Sequence, residues 1–111
     1  MYSYEATIRR WVDGDTVDVD IDLGFGLVYG NQRIRLWGID APESRTRDLA
    51  EKSLGKEAAR FAEEHAPVGT QVKLTTHKTG KYGRILGEIE VEGVNLNQLM
   101  IKENHAKEYI L

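Results

Sequence analysis

Between positions 16 and 22 the chain reads T-V-D-V-D-I-D, a strict alternation of aliphatic and acidic side chains. A period of two sends Val17, Val19 and Ile21 to one face of a strand and Asp18, Asp20 and Asp22 to the other. A sheet with one buried face is therefore required, and its neighbours in sequence supply one. Residues 4–11 have the β-branched and aromatic content of a strand, and Asp13-Gly14-Asp15 is a turn signal between the two. Residues 32–37 read as a third strand, with Ile34 and Leu36 alternating against Arg33 and Arg35. The stretch 23–31 carries three glycines and reads as a loop or long hairpin tip. The spaced aspartates also imitate the start of an EF-hand loop. There, however, glycine falls at the seventh place and Tyr29 stands where the bidentate Glu belongs. Asp18, Asp20 and Asp22 are therefore read as a solvated strand face.

Periodicity then changes. Leu54, Ala58, Phe61, Ala62 and His65 follow helical spacing, with Ser53 as a candidate cap and Pro67 as the stop. Strands are expected at 71–76 and 85–91. Asn95 has the position of an N-cap with Gln98 three residues on, Leu96, Leu99 and Met100 form an apolar helix face, and Asn104 suits a left-handed stop. Three strands, a helix, two strands and a helix give an α+β class. The order is that of the OB fold, a five-stranded Greek-key barrel with a helix between strands 3 and 4 and a C-terminal helix.

The 111 residues suit a single domain over 1–111 with one modest core, 41% of the residues being apolar and the mean hydropathy -0.47. Cysteine is absent, which excludes disulfides and thiol chemistry. No apolar run at the N-terminus resembles a leader, and none elsewhere reaches membrane-spanning length, so a cytoplasmic location without membrane association is expected, with secretion open if a leader was removed. A monomer is the default oligomeric state. The net charge of -3 runs against nucleic-acid binding, which favours basic surfaces. A local basic rim of Lys73, Lys78, Lys81, Arg84, Arg35, Arg45 and Arg47 is expected to offset it.

Three motifs gather the reactive side chains: D-G-D-T at 13–16, R-L-W-G-I-D-A-P-E at 35–43, and K-Y-G-R at 81–84. Asp15 and Asp40 stand at a strand start and a strand end, where two carboxylates and a turn carbonyl suit a hard cation that keeps part of its water. No His or Cys cluster suits zinc. Aspartate at turns also serves local hydrogen bonding. Arg35 and Arg84 open or flank strands. Guanidinium forks match phosphoryl oxygens, whose charge grows in phosphodiester hydrolysis. A single surface arginine needs no such role. Glu43 is a candidate general base beside an attacking water, or the partner of Arg45 or Arg47 in a salt bridge.

Together, in this order, the three motifs resemble the staphylococcal nuclease (thermonuclease) family over nearly the whole chain, residues 4–109. The resemblance implies that Asp15 and Asp40 bind Ca²⁺ with the Ala41 backbone carbonyl, and that Thr16 lies close by. It implies that Arg35 and Arg84 contact the scissile phosphate and that Glu43 is the general base. Lys81 and Tyr82 then contact a terminal phosphate, and Tyr109 falls near a tyrosine lining the nucleotide pocket. The expected activity is a calcium-dependent nuclease of little sequence preference on DNA, and on RNA, leaving 3′-phosphate ends. The alternative is a non-catalytic OB-fold module binding nucleic acid or protein, although such scaffolds generally lose the catalytic side chains that are all present here. A toxin or mobile-element nuclease working with other proteins also fits the small size.

Three features depart from the family pattern. The sequence stops two residues after Tyr109, where better-known members continue into a third helix. Thr79-Gly80 stands where an acidic residue is common. The segment 23–31 is long and apolar, and is expected to form a hairpin packed on its own domain or to pair with another copy.

Overall fold

The computed structural model describes residues 1–79 and 84–109, with backbone alone for Lys78 and Thr79. In chain order the elements are β1 (Tyr2–Asp13), β2 (Thr16–Gly24), β3 (Leu27–Leu36), β4 (Ile39–Asp40), α1 (Leu49–His65), β5 (Gln71–Thr79), β6 (Ile85–Val91), β7 (Val94–Asn95), α2 (Leu96–Lys102) and β8 (Lys107–Glu108). Sheet order β3-β2-β1-β5-β6 is closed by parallel pairing of β3 with β6, Ile34 opposite Ile85 and Arg35 opposite Leu86. The result is the expected five-stranded barrel with two helices. A second, two-stranded sheet joins β4 to β8, with Asp40 opposite Lys107.

The alternation read from the sequence sets the barrel interior. Ile8, Val17, Val19, Ile34, Leu36, Leu74 and Ile89 are all fully buried or within 1% of it, and Leu96 and Met100 of α2 plug one end. Helix α1 covers that end with a stripe of small residues. Gly55, Ala58 and Ala62 are buried on it, and the Trp11 Nε1–H reaches the Ala66 carbonyl at 2.9 Å. Small side chains let the helix axis come close to the turn at Asp13-Gly14-Asp15. A Cβ on Gly14 would lie 2.8 Å from the Ala58 Cβ and 2.9 Å from the Met100 Cε.

Several expectations change. Helix α1 begins well before Ser53. Asp48 is its N-cap, accepting from the amides of Ala50 and Glu51. Leu54, read as part of the apolar face, is 54% exposed, because its neighbour Gly55 is the residue pressed inward. The segment 23–31 takes the hairpin of its two readings, though the hairpin is almost all strand. Only Phe25 and Gly26 turn the chain, both with positive φ (57° and 76°), the backbone that a two-residue hairpin needs. The resulting ribbon protrudes, with Phe25 fully exposed and Leu23, Leu27, Val28 and Tyr29 each about half exposed or more. It is not packed back on the domain. Asn95 and Asn104 behave as expected, Asn95 accepting from the Gln98 amide at 3.0 Å and Asn104 adopting φ 61°.

The aspartate face also differs from a uniformly solvated one. Asp18 is 7% exposed and is gripped by Arg33 through two bonds, Nε to Oδ1 at 2.9 Å and Nη2 to Oδ2 at 3.2 Å. Asp20 accepts from Arg9 and from the Asn31 amide, and Asp22 accepts from the Gly24 amide. Sequence period fixes which face these residues take, but not what lies across the ladder from them.

Candidate active site

The end of the barrel where β2 begins and β3 finishes gathers the polar side chains. The register sets Thr16 opposite Arg35. Asp15, one residue earlier, is held by three donors. Its Oδ2 accepts from the Ala41 amide at 2.8 Å and lies 3.2 Å from Arg35 Nη1, and its Oδ1 accepts from the Thr16 hydroxyl at 3.0 Å. Its own carbonyl accepts from the Leu36 amide. Burial raises the Asp15 carboxyl above its ordinary range. The Ala41 amide, the Arg35 charge and the Thr16 hydroxyl pull it back, and the Asp13 charge nudges it up again.

Arg35 is the hub. Nη1 donates to the carbonyls of Ile39 (2.9 Å) and Leu36 (3.3 Å) as well as facing Asp15. Nη2 has a single long contact, 3.4 Å to Asp40 Oδ1. The guanidinium is thus anchored by one nitrogen and loosely tethered by the other, next to both aspartates. Asp40 is more than half exposed and rides on β4, which β8 holds in place. The same pairing brings Tyr109 to this end of the barrel, its amide donating to the Gly38 carbonyl at 2.8 Å.

The turn that carries Glu43 is fixed from two sides. The Ser44 amide and hydroxyl both donate to Asp13 Oδ1, and the Glu43 amide donates to Glu51 of α1 at 3.3 Å. Below it sits Gly55. A methyl group there would lie 2.5 Å from the Glu43 carbonyl carbon and oxygen. Glu43 itself is exposed. Arg84 is exposed too, directly before Ile85 at the β3–β6 seam. Asp15, Thr16, Arg35, Asp40 and Ala41 therefore come together in direct contact, whereas Glu43, Arg84 and Tyr109 are placed around them by backbone. Lys81 and Tyr82 lie outside the described residues.

Sequence reading missed four supports of this site. Asp13 was visible only as a turn residue, and Ser44 carried no signal. A glycine inside a helix, Gly55, is a signal of close approach that was available and unused. Asn97 is completely buried. It accepts from the Ile89 amide and donates to the carbonyls of Trp37 and Gly87, tying α2 to the strand ends.

The oxygen donors suit a hard divalent cation. Among the described residues no three His, Cys, Asp or Glu side chains gather to hold a metal. The two carboxylates that approach each other here are Asp15 and Asp40, with the Arg35 guanidinium between them. A groove of about 840 Å³ opens beside Asp40 and Glu43, and Asp48, Glu51 and Glu57 line it further. Lys107 and His105 also line it. Of the expected basic rim, part can be placed. Lys73 stands between Glu5 and Glu90 on neighbouring strands, and Lys78 and Lys81 have no described side chain.

The family described as staphylococcal nuclease homologue matches residues 33–110. An uncharacterized endonuclease of Escherichia coli is 35% identical over 103 residues, covering 92% of this chain and 59% of that protein. The thermonuclease of Staphylococcus hyicus is 32% identical over 102 residues, 90% of this chain and 56% of that one. An uncharacterized protein of Bacillus anthracis is 33% identical over 97 residues, 85% of this chain and 42% of its own length. The chain spans about half the length of the curated relatives it matches.

Proposed function

The chain belongs to the family of staphylococcal nuclease homologues, and from that premise we propose that it is a nuclease hydrolysing phosphodiester bonds of DNA and RNA with the help of Ca²⁺, leaving 3′-phosphate ends. The observation that carries this reading is Arg35 lodged between two aspartates, with one guanidinium nitrogen held only by a long contact. Arginine–carboxylate pairs are frequently bidentate, and Arg35 makes no such pair. Here Nη1 is held by Asp15 and two carbonyls, and Nη2 can leave its 3.4 Å contact for a phosphoryl oxygen.

Asp15 and Asp40, with the Ala41 carbonyl, are the groups to hold the cation, and Thr16 keeps the Asp15 carboxylate oriented. Bound there, Ca²⁺ neutralises phosphate charge and orients water. Arg35 and Arg84 donate to the phosphoryl oxygens as charge builds on them, each contributing on the order of a hundredfold to a thousandfold in rate. Glu43 takes the proton of the attacking water at its exposed carboxylate, and the turn braced by Asp13 and Gly55 keeps it aimed. Lys81, Tyr82 and Tyr109 contact the substrate beyond the scissile bond. The test is cleavage of heat-denatured DNA and of RNA with Ca²⁺, with Mg²⁺ and with chelator, followed by end-labelling of the products. Calcium-supported cleavage whose products accept a 5′ label without phosphatase, and a 3′ label only after it, is expected. Equal cleavage in chelator, or none with any metal, sinks the assignment.

A further inference from the structure

Trp37 lies outside the machinery just described, yet it is more elaborately braced than an ordinary surface residue. Inward-facing Ile34 and Leu36 put Arg35 and Trp37 on the other side of the strand, and the indole is 37% exposed. The Trp37 amide donates to the Gly87 carbonyl at 2.8 Å, and its carbonyl accepts from the buried Asn97 at 2.9 Å. One face of the ring is covered by the imidazole of His77, with centroids 4.1 Å apart and planes 3° from parallel.

His77 is aimed there by an irregularity. In the ladder between β5 and β6, Thr76 pairs with Gly87 and Lys78 with Leu86, so His77 is the extra residue of a bulge. Such a bulge redirects a side chain. The imidazole is then fixed by Glu88, 2.8 Å from Nε2, and Glu88 by Asn95, whose side chain also caps α2. Bulge, carboxylate and cap together hold two flat rings in register on the outer surface of the sheet.

The position gives the stack its meaning. Trp37 follows Arg35 by two residues, about 7 Å of extended chain. Across the seam, Leu86 is opposite Arg35, and Arg84 precedes Leu86 by two. Because the two strands run parallel, the platform stands next to Arg35 along the strand, on the opposite side of it from Arg84.

We propose that Trp37, backed by His77, is a stacking platform for a nucleobase of the substrate, on the Arg35 side of the engaged phosphate. The inference rests on the nuclease reading for its ligand class. Stacking needs only a π-face, so the platform accepts any base and adds affinity without sequence preference. Cation–π attraction is not involved, because a nucleobase is neutral. His77 and Glu88 act as positioning residues that keep the indole flat and outward.

The protein's second tryptophan provides an internal reference. Trp11 is buried with its indole N–H bonded to Ala66, so a bound strand does not reach it. The experiment titrates a short single-stranded DNA, in chelator to prevent cleavage, against tryptophan emission, with an abasic version of the same DNA in parallel. The intact strand is expected to quench wild-type emission, and the abasic strand to quench it little. Read by the anisotropy of an end-labelled strand, Trp37→Phe should keep affinity within about threefold, while Trp37→Ala and Trp37→Leu should bind about tenfold more weakly. With Ca²⁺ present, these two variants should raise KM and leave kcat nearly unchanged. Melting curves and the Trp11 emission check that each variant is folded. Leucine matching wild type, or full quenching surviving in Trp37→Ala, overturns the platform. So does wild-type emission indifferent to DNA, in which case calcium-supported cleavage by the same sample leaves the nuclease assignment standing. Quenching without cleavage under any metal supports the platform and removes the nuclease assignment.

Discussion

Strands β2 and β3 carry two aspartate–arginine pairs, and they are built differently. Asp18 with Arg33 and Asp15 with Arg35 have carboxylates that are almost equally hidden, 7% and 6% exposed. Arg33 spends its fork on one partner, two bonds to both oxygens, with its own side chain half exposed. That bond raises the Arg33 pKa further above its already high value. Arg35 is mostly covered and divides itself among Asp15, Asp40 and two carbonyls, with no bidentate pair anywhere. In the first pair one guanidinium and one carboxylate engage each other alone, with the Arg33 Nη1 outside the pair. In the second the guanidinium bridges two carboxylates, one lifted by burial and the other exposed. Depth does not distinguish the two pairs. How the guanidinium is shared does.

The sharpest way to break this contrast is to exchange the two arginines for lysine. Arg35→Lys should lower the rate of single-stranded DNA cleavage by about a hundredfold or more, since a point charge cannot hold the strand carbonyls and a phosphate at once. Arg33→Lys should leave that rate within about twofold. Equal losses would mean that Arg35 is only another structural partner.

Next in size is Gly55→Ala. The added methyl must displace the Glu43 turn, so cleavage should fall about tenfold or more, and overpacking should lower stability by about 1–3 kcal/mol. A variant that melts lower but cleaves normally would show that Glu43 does not need its present position. Arg33→Ala should behave in the opposite way, with unchanged cleavage and a stability loss of about 1 kcal/mol. The buried Asp18 loses its partner, but the half-exposed arginine was already shared with water.

The smallest effect is on pH dependence. The folded-state pKa of Asp15 is raised by burial above the ordinary 3.8, so the native state takes up this proton before the unfolded chain does. Its contribution to stability is complete below 3.8 and is lost as pH rises through the raised value. Asp15→Asn removes that dependence. The melting temperature of Asp15→Asn relative to wild type should therefore be highest near neutrality and decline as pH falls through the raised value. A difference constant with pH would mean that the carboxyl is not perturbed.

Much of this fold is written locally. The alternation at 16–22, the inward Ile34 and Leu36, and the caps at Asn95 and Asn104 are short-range patterns, and each was readable. The grouping of Asp15, Arg35 and Asp40 was readable as well, because they lie in compact motifs. What stayed hidden depends on partners far away in sequence. Asp18 looks like a surface residue until Arg33 lies opposite it. The glycines of 23–31 left loop and hairpin tip both open, because local sequence cannot reveal that two strands will extend to meet at a two-residue turn. Ser53 is a reasonable cap by type, but Asp48 wins because the chain must turn upward directly after the segment fixed by Asp13 and Ser44.

The small sheet of β4 and β8 has a consequence for how the protein comes into being. Asp40 is held by pairing with Lys107, a residue made long after it. A chain still emerging from the ribosome can close the β2–β3 hairpin and bring Asp15 to Arg35. It cannot seat Asp40 until nearly the last residues of this sequence have appeared. Closing so long a loop is slow compared with hairpin formation. The Asp40 edge of the site is therefore the last part of it to assemble, after the hairpin that joins Asp15 to Arg35.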